Sequence, residues 1–248
     1  MKQKKKFKVV LAYDGTNYHG WQRQPGMITL QEALEEKIQQ MTGEDVRVIV
    51  SGRTDAGVHA LNQVCHFFST TGLDPDVLKK GLNSLLPDDI FVKVVSYASP
   101  DFHARYSARS KSYEYRILNR RDPDVFLRHY SWHIPQKLEI GEMKECLSLL
   151  RGRHDFSSFR SSGSPSVSPV REMYRCEVTI VQGEILNFLF EANGFLRHMV
   201  RNIMGTLVEV GMGKMCYGDF QEIFQSKDRT LAGIKAPPQG LFLTEVKY

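Results

Sequence analysis

The chain has 248 residues, of which 42% are hydrophobic and 25% charged, with a formal net charge of +5. That length can bury a substantial core, and the composition excludes a disordered or fibrous chain. No apolar run approaches the ~20 residues that cross a bilayer. The four cysteines, Cys65, Cys146, Cys176 and Cys216, are far apart and form no C-x-x-C pair. Zinc and redox chemistry are therefore not expected, and reduced thiols suit a cytoplasmic protein. Met1 to Lys8 is basic but lacks the apolar stretch of a signal peptide, so a solvated tail is expected there.

Phe7 to Tyr13 reads as a strand. Thr29 then opens a helix with a capping box to Glu32, carries Leu30, Ala33, Leu34, Ile38 and Met41 on one face, and stops at Gly43. Val46 to Val50 and Val64 to Phe68 read as strands on either side of a tight connection. Asp74-Pro75 starts a second helix running towards Leu86, with proline at the first helical position. Ile90 to Tyr97 closes a β-α-β-β-α-β half, residues 1–100. The second half, 101–248, repeats that order without repeating the sequence. Ser112 to Asn119 is a strand, Glu142 to Leu150 a helix ending near Gly152, and Cys176 to Gln182 with Ile185 to Ala192 a hairpin. A helix from Leu196 to Val210 and a strand from Leu241 to Val246 complete it. Two such ferredoxin-like units give an α+β protein. Arg160 to Val170 has turn-rich composition and is expected as an exposed loop.

The connection Ser51-Gly52-Arg53-Thr54-Asp55-Ala56-Gly57-Val58-His59-Ala60 crowds a cation, a hydroxyl, a carboxylate and an imidazole between two strands. A plain turn needs about one such group. Between Phe102 and Arg121 lie Arg105, Arg109, Lys111, Arg116, Arg120 and Arg121 against Glu114, so six cations and one acid give this stretch +5, the charge of the whole chain. Phe102, Tyr106, Tyr113 and Tyr115 are interleaved with them. Cations that hold phosphates beside rings that stack bases suit RNA, and a solvated strand face with core tyrosines gives the same pattern.

G-R-T-D-A-G-V-H-A closely resembles the catalytic loop of the tRNA pseudouridine synthase A family. Four further blocks are similar to that family and stand in its order. They are Tyr13-Asp14-Gly15-Thr16-Asn17-Tyr18-His19-Gly20-Trp21-Gln22 and Phe102 to Ala108 leading into Ser112-Tyr113-Glu114-Tyr115-Arg116. Then come Phe195-Leu196-Arg197-His198-Met199-Val200-Arg201-Asn202-Ile203 and Ala236-Pro237-Pro238-Gln239-Gly240-Leu241-Phe242-Leu243. The resemblance implies two ferredoxin-like halves joined in a pseudo-two-fold mixed sheet, helices on one side, with a basic cleft between them. It implies isomerisation of uridine to pseudouridine in the anticodon stem-loop of tRNA, about positions 38 to 40, by a homodimer.

That reaction breaks a C–N glycosidic bond and forms a C–C bond to the same sugar, importing no electron or group, so no cofactor and no metal is expected. By resemblance Asp55 is the nucleophile. Two routes stay open, attack at C1′ or removal of a C2′ proton to form a glycal. Arg201 is by resemblance its cation partner, which would hold the carboxylate ionised. Arg197, His198 and Arg201 are expected in the first two turns of their helix, where cations are disfavoured unless an anion faces them. Gly205, one turn past Arg201, would permit close approach of another backbone. Tyr113 aligns with the residue that stacks on the target base and handles the C5 proton, and Tyr115 is read as packing. Arg53 resembles a family arginine that helps to extrude the target nucleotide and hold the loop, and His59 is expected to contact RNA or to stabilise the loop. By the resemblance Leu241 would wall the uracil pocket, a buried core position being the plain alternative, and Arg105, Arg109, Lys111 and Arg197 are expected to bind phosphates. The competing readings are a non-catalytic tRNA-binding or RNA-folding protein of the same fold, and a glycoside or nucleoside hydrolase, for which no second carboxylate stands at an obvious partnering position.

Overall fold

The computed structural model describes residues 4–163, 168–181 and 183–248. Two compact units emerge, one running to Arg109 and including Phe242–Tyr248, the other Ser110–Leu241. Among the described residues there are ten strands and five α-helices, an α+β architecture.

The first unit follows the β-α-β-β-α-β order: β1 (Lys5–Tyr13), α1 (Leu30–Thr42), β2 (Ile49–Val50), β3 (His59–Ser69), α2 (Pro75–Leu85) and β4 (Ile90–Tyr97). β1 lies antiparallel between β3 and β4. The other edge of β3 is shared by β2, at Cys65 and His66, and by β10 (Leu241–Lys247), which runs parallel to it at His59 and Ala60. Strict alternation on β1 sends Phe7, Val9, Leu11 and Tyr13 inward, to a core shared with Leu34 and Ile38 of α1 and Leu78 and Leu82 of α2. The two helices meet where Gly81 faces Met41, whose methyl a Cβ at Gly81 would strike at 2.2 Å.

Gly43 ends α1 in the left-handed region (φ 71°) and Pro75 opens α2, both as the sequence signals. The capping box does not form. Thr29 has the extended backbone of an N-cap, but its buried hydroxyl has no hydrogen-bond partner among the described residues. Glu32 is instead drawn to Arg23 at 3.3 Å. The lysines expected as a tail are ordered strand from Lys5, with Lys5 over the Tyr97 ring and Lys8 over Phe102 and Tyr248. Residues 1–3 lie outside the described residues.

The second unit contains β5 (Ser110–Asn119), β6 (Trp132–Ile134), α3 (Ile140–Leu149), β7 (Gly152–Asp155), β8 (Val170–Val181), β9 (Ile185–Ala192), α4 (Met199–Gly211) and α5 (Tyr217–Ser226). Its strands run β5-β9-β8-β7, antiparallel, with the short β6 parallel to β5. Its core joins Tyr115, Phe188 and Phe190 to Met143, Ile203, Leu207 and Phe220. Three elements, β6, β7 and α5, carry little sequence signal: the strands have three and four residues, and α5 is short and amphipathic. The chain divides inside β10, between Leu241 and Phe242, so most of the strand expected to close the second half is counted with the first unit.

Helix α4 starts three residues later than expected. His198 adopts the left-handed region (φ 61°), which stops the helix at Met199. Arg197 thus precedes the helix and turns back to donate to the Ser162 carbonyl at 2.9 Å, while Ser161 N–H donates to the Arg197 carbonyl at 3.2 Å. Of the loop expected over Arg160 to Val170, residues 164–167 lie outside the described residues, and Val170 already belongs to β8.

Candidate active site

Asp55 sits half-buried in the connection between β2 and β3, with Arg53 exposed beside it. The Val58 N–H donates to the Asp55 carbonyl at 3.2 Å, closing a tight turn through Gly57 at φ 74°. The turn is laced to the Tyr13-to-Gln22 block. Trp21 N–H donates to the Thr54 carbonyl at 3.0 Å, and Gly57 N–H to the Tyr18 carbonyl at 3.3 Å. Two glycines permit this approach. A Cβ on Gly15 would lie 2.1 Å from the Val58 carbonyl oxygen, and one on Gly20, at φ 85°, 2.7 Å from the Thr54 carbonyl oxygen. Trp21, 1% exposed, seals the underside.

His59 is 2% exposed and directs its hydrogen bonding inward. Its Nδ1 lies 3.1 Å from both the Asp14 carboxylate and the Gly15 N–H, and its ring stacks on Phe242 at 4.7 Å. A neutral Nδ1 accepts from Gly15; a protonated one donates to Asp14. Either bond ties the first residue of β3 to the N-terminal block.

Tyr113, Arg201, Arg197, Lys111 and Leu241 stand in the second unit. Tyr113 on β5 pairs with Phe190 of β9 and meets Phe195 edge to face at 5.0 Å. Tyr115, two residues on, is fully buried and donates to the Pro237 carbonyl at 2.8 Å. Burial pushes its phenol well up, partly offset by the Arg201 charge.

Arg201, buried in the first turn of α4, donates through Nε to the Ala236 carbonyl at 2.8 Å, and Ala236 N–H returns a bond to the Arg201 carbonyl at 3.0 Å. The crossing is close enough that a Cβ on Gly205 would lie 1.6 Å from the Ile234 carbonyl oxygen. That is the backbone approach its spacing suggested. Next in the chain, a Cβ on Gly240 would fall 2.8 Å from the Arg116 carbonyl oxygen. The Ala236-to-Leu241 block thus clamps α4 and β5 together, holding Arg201 and Tyr115 from one side. Leu241 itself is buried.

The basic stretch is less uniformly available than its composition suggests. Arg116 pairs with Glu114 at 2.6 Å, and Arg120 with Asp124 and Glu184 at 3.1 and 2.9 Å. Arg105 and Arg109 are exposed, Arg105 over the ring of Tyr106, which is 77% exposed. Lys111 is half-buried. Among the described residues no group of three or more His, Cys, Asp and Glu stands in position to hold a metal ion, and no helix is long and apolar enough to cross a membrane.

Sequence reasoning passed over Gly15 and Gly20, whose reason is a contact with a distant loop, Gly15 with Val58 and Gly20 with Thr54 to Ala56. It also passed over Phe195 as the neighbour of Tyr113.

Comparison with known proteins bears on the same blocks. The family model described as tRNA pseudouridine synthase matches residues 9–107 and 147–248. A tRNA pseudouridine synthase A of Thermoanaerobacter sp. (strain X514) is 50% identical over 241 residues, 97% of this chain and 98% of that protein. One of Geobacillus sp. (strain WCH70) is 47% identical over 245 residues, 98% of each. One of Acetivibrio thermocellus is 44% identical over 242 residues, 97% of this chain and 98% of that protein. Identity at this level along nearly the whole length, with the Asp55 turn and its glycine contacts in place, makes the chain a member of the tRNA pseudouridine synthase family, an isomerase that converts uridine in tRNA to pseudouridine.

Proposed function

We propose that the chain isomerises uridines of the tRNA anticodon stem-loop, about positions 38 to 40, with Asp55 as the nucleophile. The observation that carries this reading is the Asp55 turn itself: a half-exposed carboxylate on a loop whose backbone is bonded on both sides of it. A reacting group held this way loses little freedom when substrate arrives. The C1′–N1 bond breaks, C1′ bonds to C5 of the turned base, C5 loses its proton and N1 gains one. Asp55 serves either route, attack at C1′ or abstraction at C2′.

Arg201 supplies the positive charge that keeps Asp55 ionised. Tyr113 stacks on the uracil and takes the C5 proton, and Leu241 gives the pocket its apolar wall. Arg53 fills the place of the extruded nucleotide, whose unstacking costs a few kcal/mol. Arg105, Arg109, Lys111 and Arg197 hold phosphates, and His59 anchors the loop. The enzyme works as a cytoplasmic homodimer without metal or cofactor.

Tritium release from [5-³H]uridine tRNA, measured beside a binding isotherm and sedimentation, tests this. Asp55→Asn is expected to bind tRNA normally and to lose more than about 10³-fold in turnover. Tyr113→Phe keeps the stacking face and is expected to bind but turn over slowly. Appreciable turnover in Asp55→Asn would remove the nucleophile assignment. Sedimentation at 28.4 kDa throughout would remove the dimer.

A further inference from the structure

Beneath the Asp55 turn lies a buried polar network that the reaction itself does not call for. The Gln63 side chain is fully buried on β3, a strand otherwise filling the core with Cys65 and Phe67. Its Nε2 donates to the Gly52 carbonyl at 2.9 Å and to the Tyr13 hydroxyl at 3.2 Å. Its Oε1 accepts from the Ser51 hydroxyl at 2.7 Å and from the Val64 N–H at 3.1 Å. Both donors and both acceptor positions of the amide are in use, which leaves it one orientation. The Tyr13 hydroxyl, accepting from Gln63, also shares a hydrogen bond with Thr54 Oγ1 at 2.8 Å, in which either hydroxyl can donate. Burial pushes the Tyr13 phenol up, so it stays protonated. One amide thereby reaches Ser51 and Gly52 directly, and Thr54, the residue before Asp55, through a phenol.

The strand is shaped to make this possible. Leu11 of β1 pairs with Gln63, but Tyr13, two residues on, pairs with Ala60, three residues back. Gln63 faces inward in regular alternation with Cys65 and Phe67, and one extra residue on β3 then brings Ala60, rather than Leu61, opposite Tyr13. A regular strand would set Leu61 opposite Tyr13, in place of the small Ala60. Bulges of this kind re-aim side chains next to active sites. A buried polar group costs stability unless satisfied, and a glutamine bonded to the turn at Ser51 and Gly52, and through Tyr13 to Thr54, fixes that turn's geometry.

We infer that Gln63, Tyr13 and Thr54 are positioning residues that hold the Asp55 carboxylate in its reactive orientation. This rests on the reading of Asp55 as nucleophile. None of the three touches substrate in this account; each acts through the turn.

The test compares Tyr13→Phe, Thr54→Val, their double variant, Thr54→Ser and Gln63→Met in the full-length enzyme, with Asp55→Asn alongside. Single-turnover rate at saturating enzyme, tRNA dissociation constant and melting temperature are measured for each. Tyr13→Phe and Thr54→Val are expected to slow the saturated rate by about 10- to 100-fold, the scale of a small misplacement of a reacting group. tRNA affinity should stay within about threefold, since binding contacts lie elsewhere. The double variant should lose no more than Tyr13→Phe alone, because the bond that Thr54→Val removes is already gone in Tyr13→Phe. Thr54→Ser, which keeps the hydroxyl, should recover most of the rate. Wild-type rates with only a lower melting temperature would overturn the inference, as would equal losses in Thr54→Ser and Thr54→Val. Should Gln63→Met fail to fold, the Tyr13 and Thr54 variants decide alone. An active Asp55→Asn would instead refute the nucleophile, whereas an inactive Asp55→Asn beside a fully active Tyr13→Phe would refute the network only.

Discussion

His66 shows how a residue outside the reaction sets the working range of the protein. It lies on β3 and accepts the Ala104 N–H at Nδ1, 3.1 Å, while its ring meets Phe68, Phe102 and His103. Burial, with the positive charges of His103 and Lys6 nearby, pushes its pKa from 6.5 down to about 4. The unfolded chain takes up a proton near pH 6.5 that the folded imidazole refuses until about pH 4. The contribution to stability is therefore complete above pH 6.5 and is lost as pH falls from there towards 4. His103 is lowered for similar reasons and adds in the same direction. Urea unfolding between pH 7.5 and 4.5 should show stability falling with pH. His66→Asn, whose Oδ1 can still accept from Ala104, should flatten part of that fall. A slope unchanged by the substitution would mean that other groups govern it.

At the level of elements, helix α4 is placed by a missing methyl group as much as by its apolar face. Gly205 admits the Ile234 carbonyl to a distance that no side chain could share, and Arg201 and Ala236 exchange backbone and side-chain bonds across the same crossing. Gly205→Ala must push the two backbones apart and is expected to cost at least about 1–3 kcal/mol, as overpacking does. Gly141, in the first turn of α3 with nothing within 4 Å of a built Cβ, is the control. Gly141→Ala should stabilise by about 0.5–1 kcal/mol through helix propensity alone. Chemical denaturation of both variants checks the pair, and similar small effects at the two positions would mean the 234–236 segment yields easily.

Across the whole molecule the relevant quantity is which cations are available to RNA. Arg109 is exposed, whereas Arg116 is engaged by Glu114. The logarithm of tRNA affinity should fall linearly with the logarithm of salt, each neutralised phosphate contributing a slope of about −0.7 to −0.9. Arg109→Gln should flatten the slope by about one such step, and Arg116→Gln by clearly less. Arg201→Met should lower the saturated turnover rate more than it lowers affinity, since its assigned partner is a carboxylate. A loss of affinity alone in Arg201→Met would make it an RNA-backbone residue.

In the first unit β1, β4 and the two helices were legible from alternation, amphipathic period, a glycine stop and a proline start, whereas β2 shrinks to Ile49–Val50 and β3 begins early, at His59. The candidate site was legible at the Asp55 turn because a cation, a hydroxyl, a carboxylate and an imidazole stood together in ten residues. Composition alone overstated the basic stretch, since Glu114, Asp124 and Glu184 pair with two of its cations and one of those acids is distant in sequence. The start of α4 was misread because a left-handed histidine carries no periodic signal. The tertiary structure decided what lies under the Asp55 turn. Gln63 reads as one polar residue on the inward face of an apolar strand; its partners Tyr13, Ser51 and Gly52 are brought to it only by the fold, and an extra residue in β3 decides that Ala60 and not Leu61 lies opposite Tyr13. Periodicity reports which face a residue takes when a strand is regular. It is silent where register slips, and there the long-range pairing with β1 makes the choice.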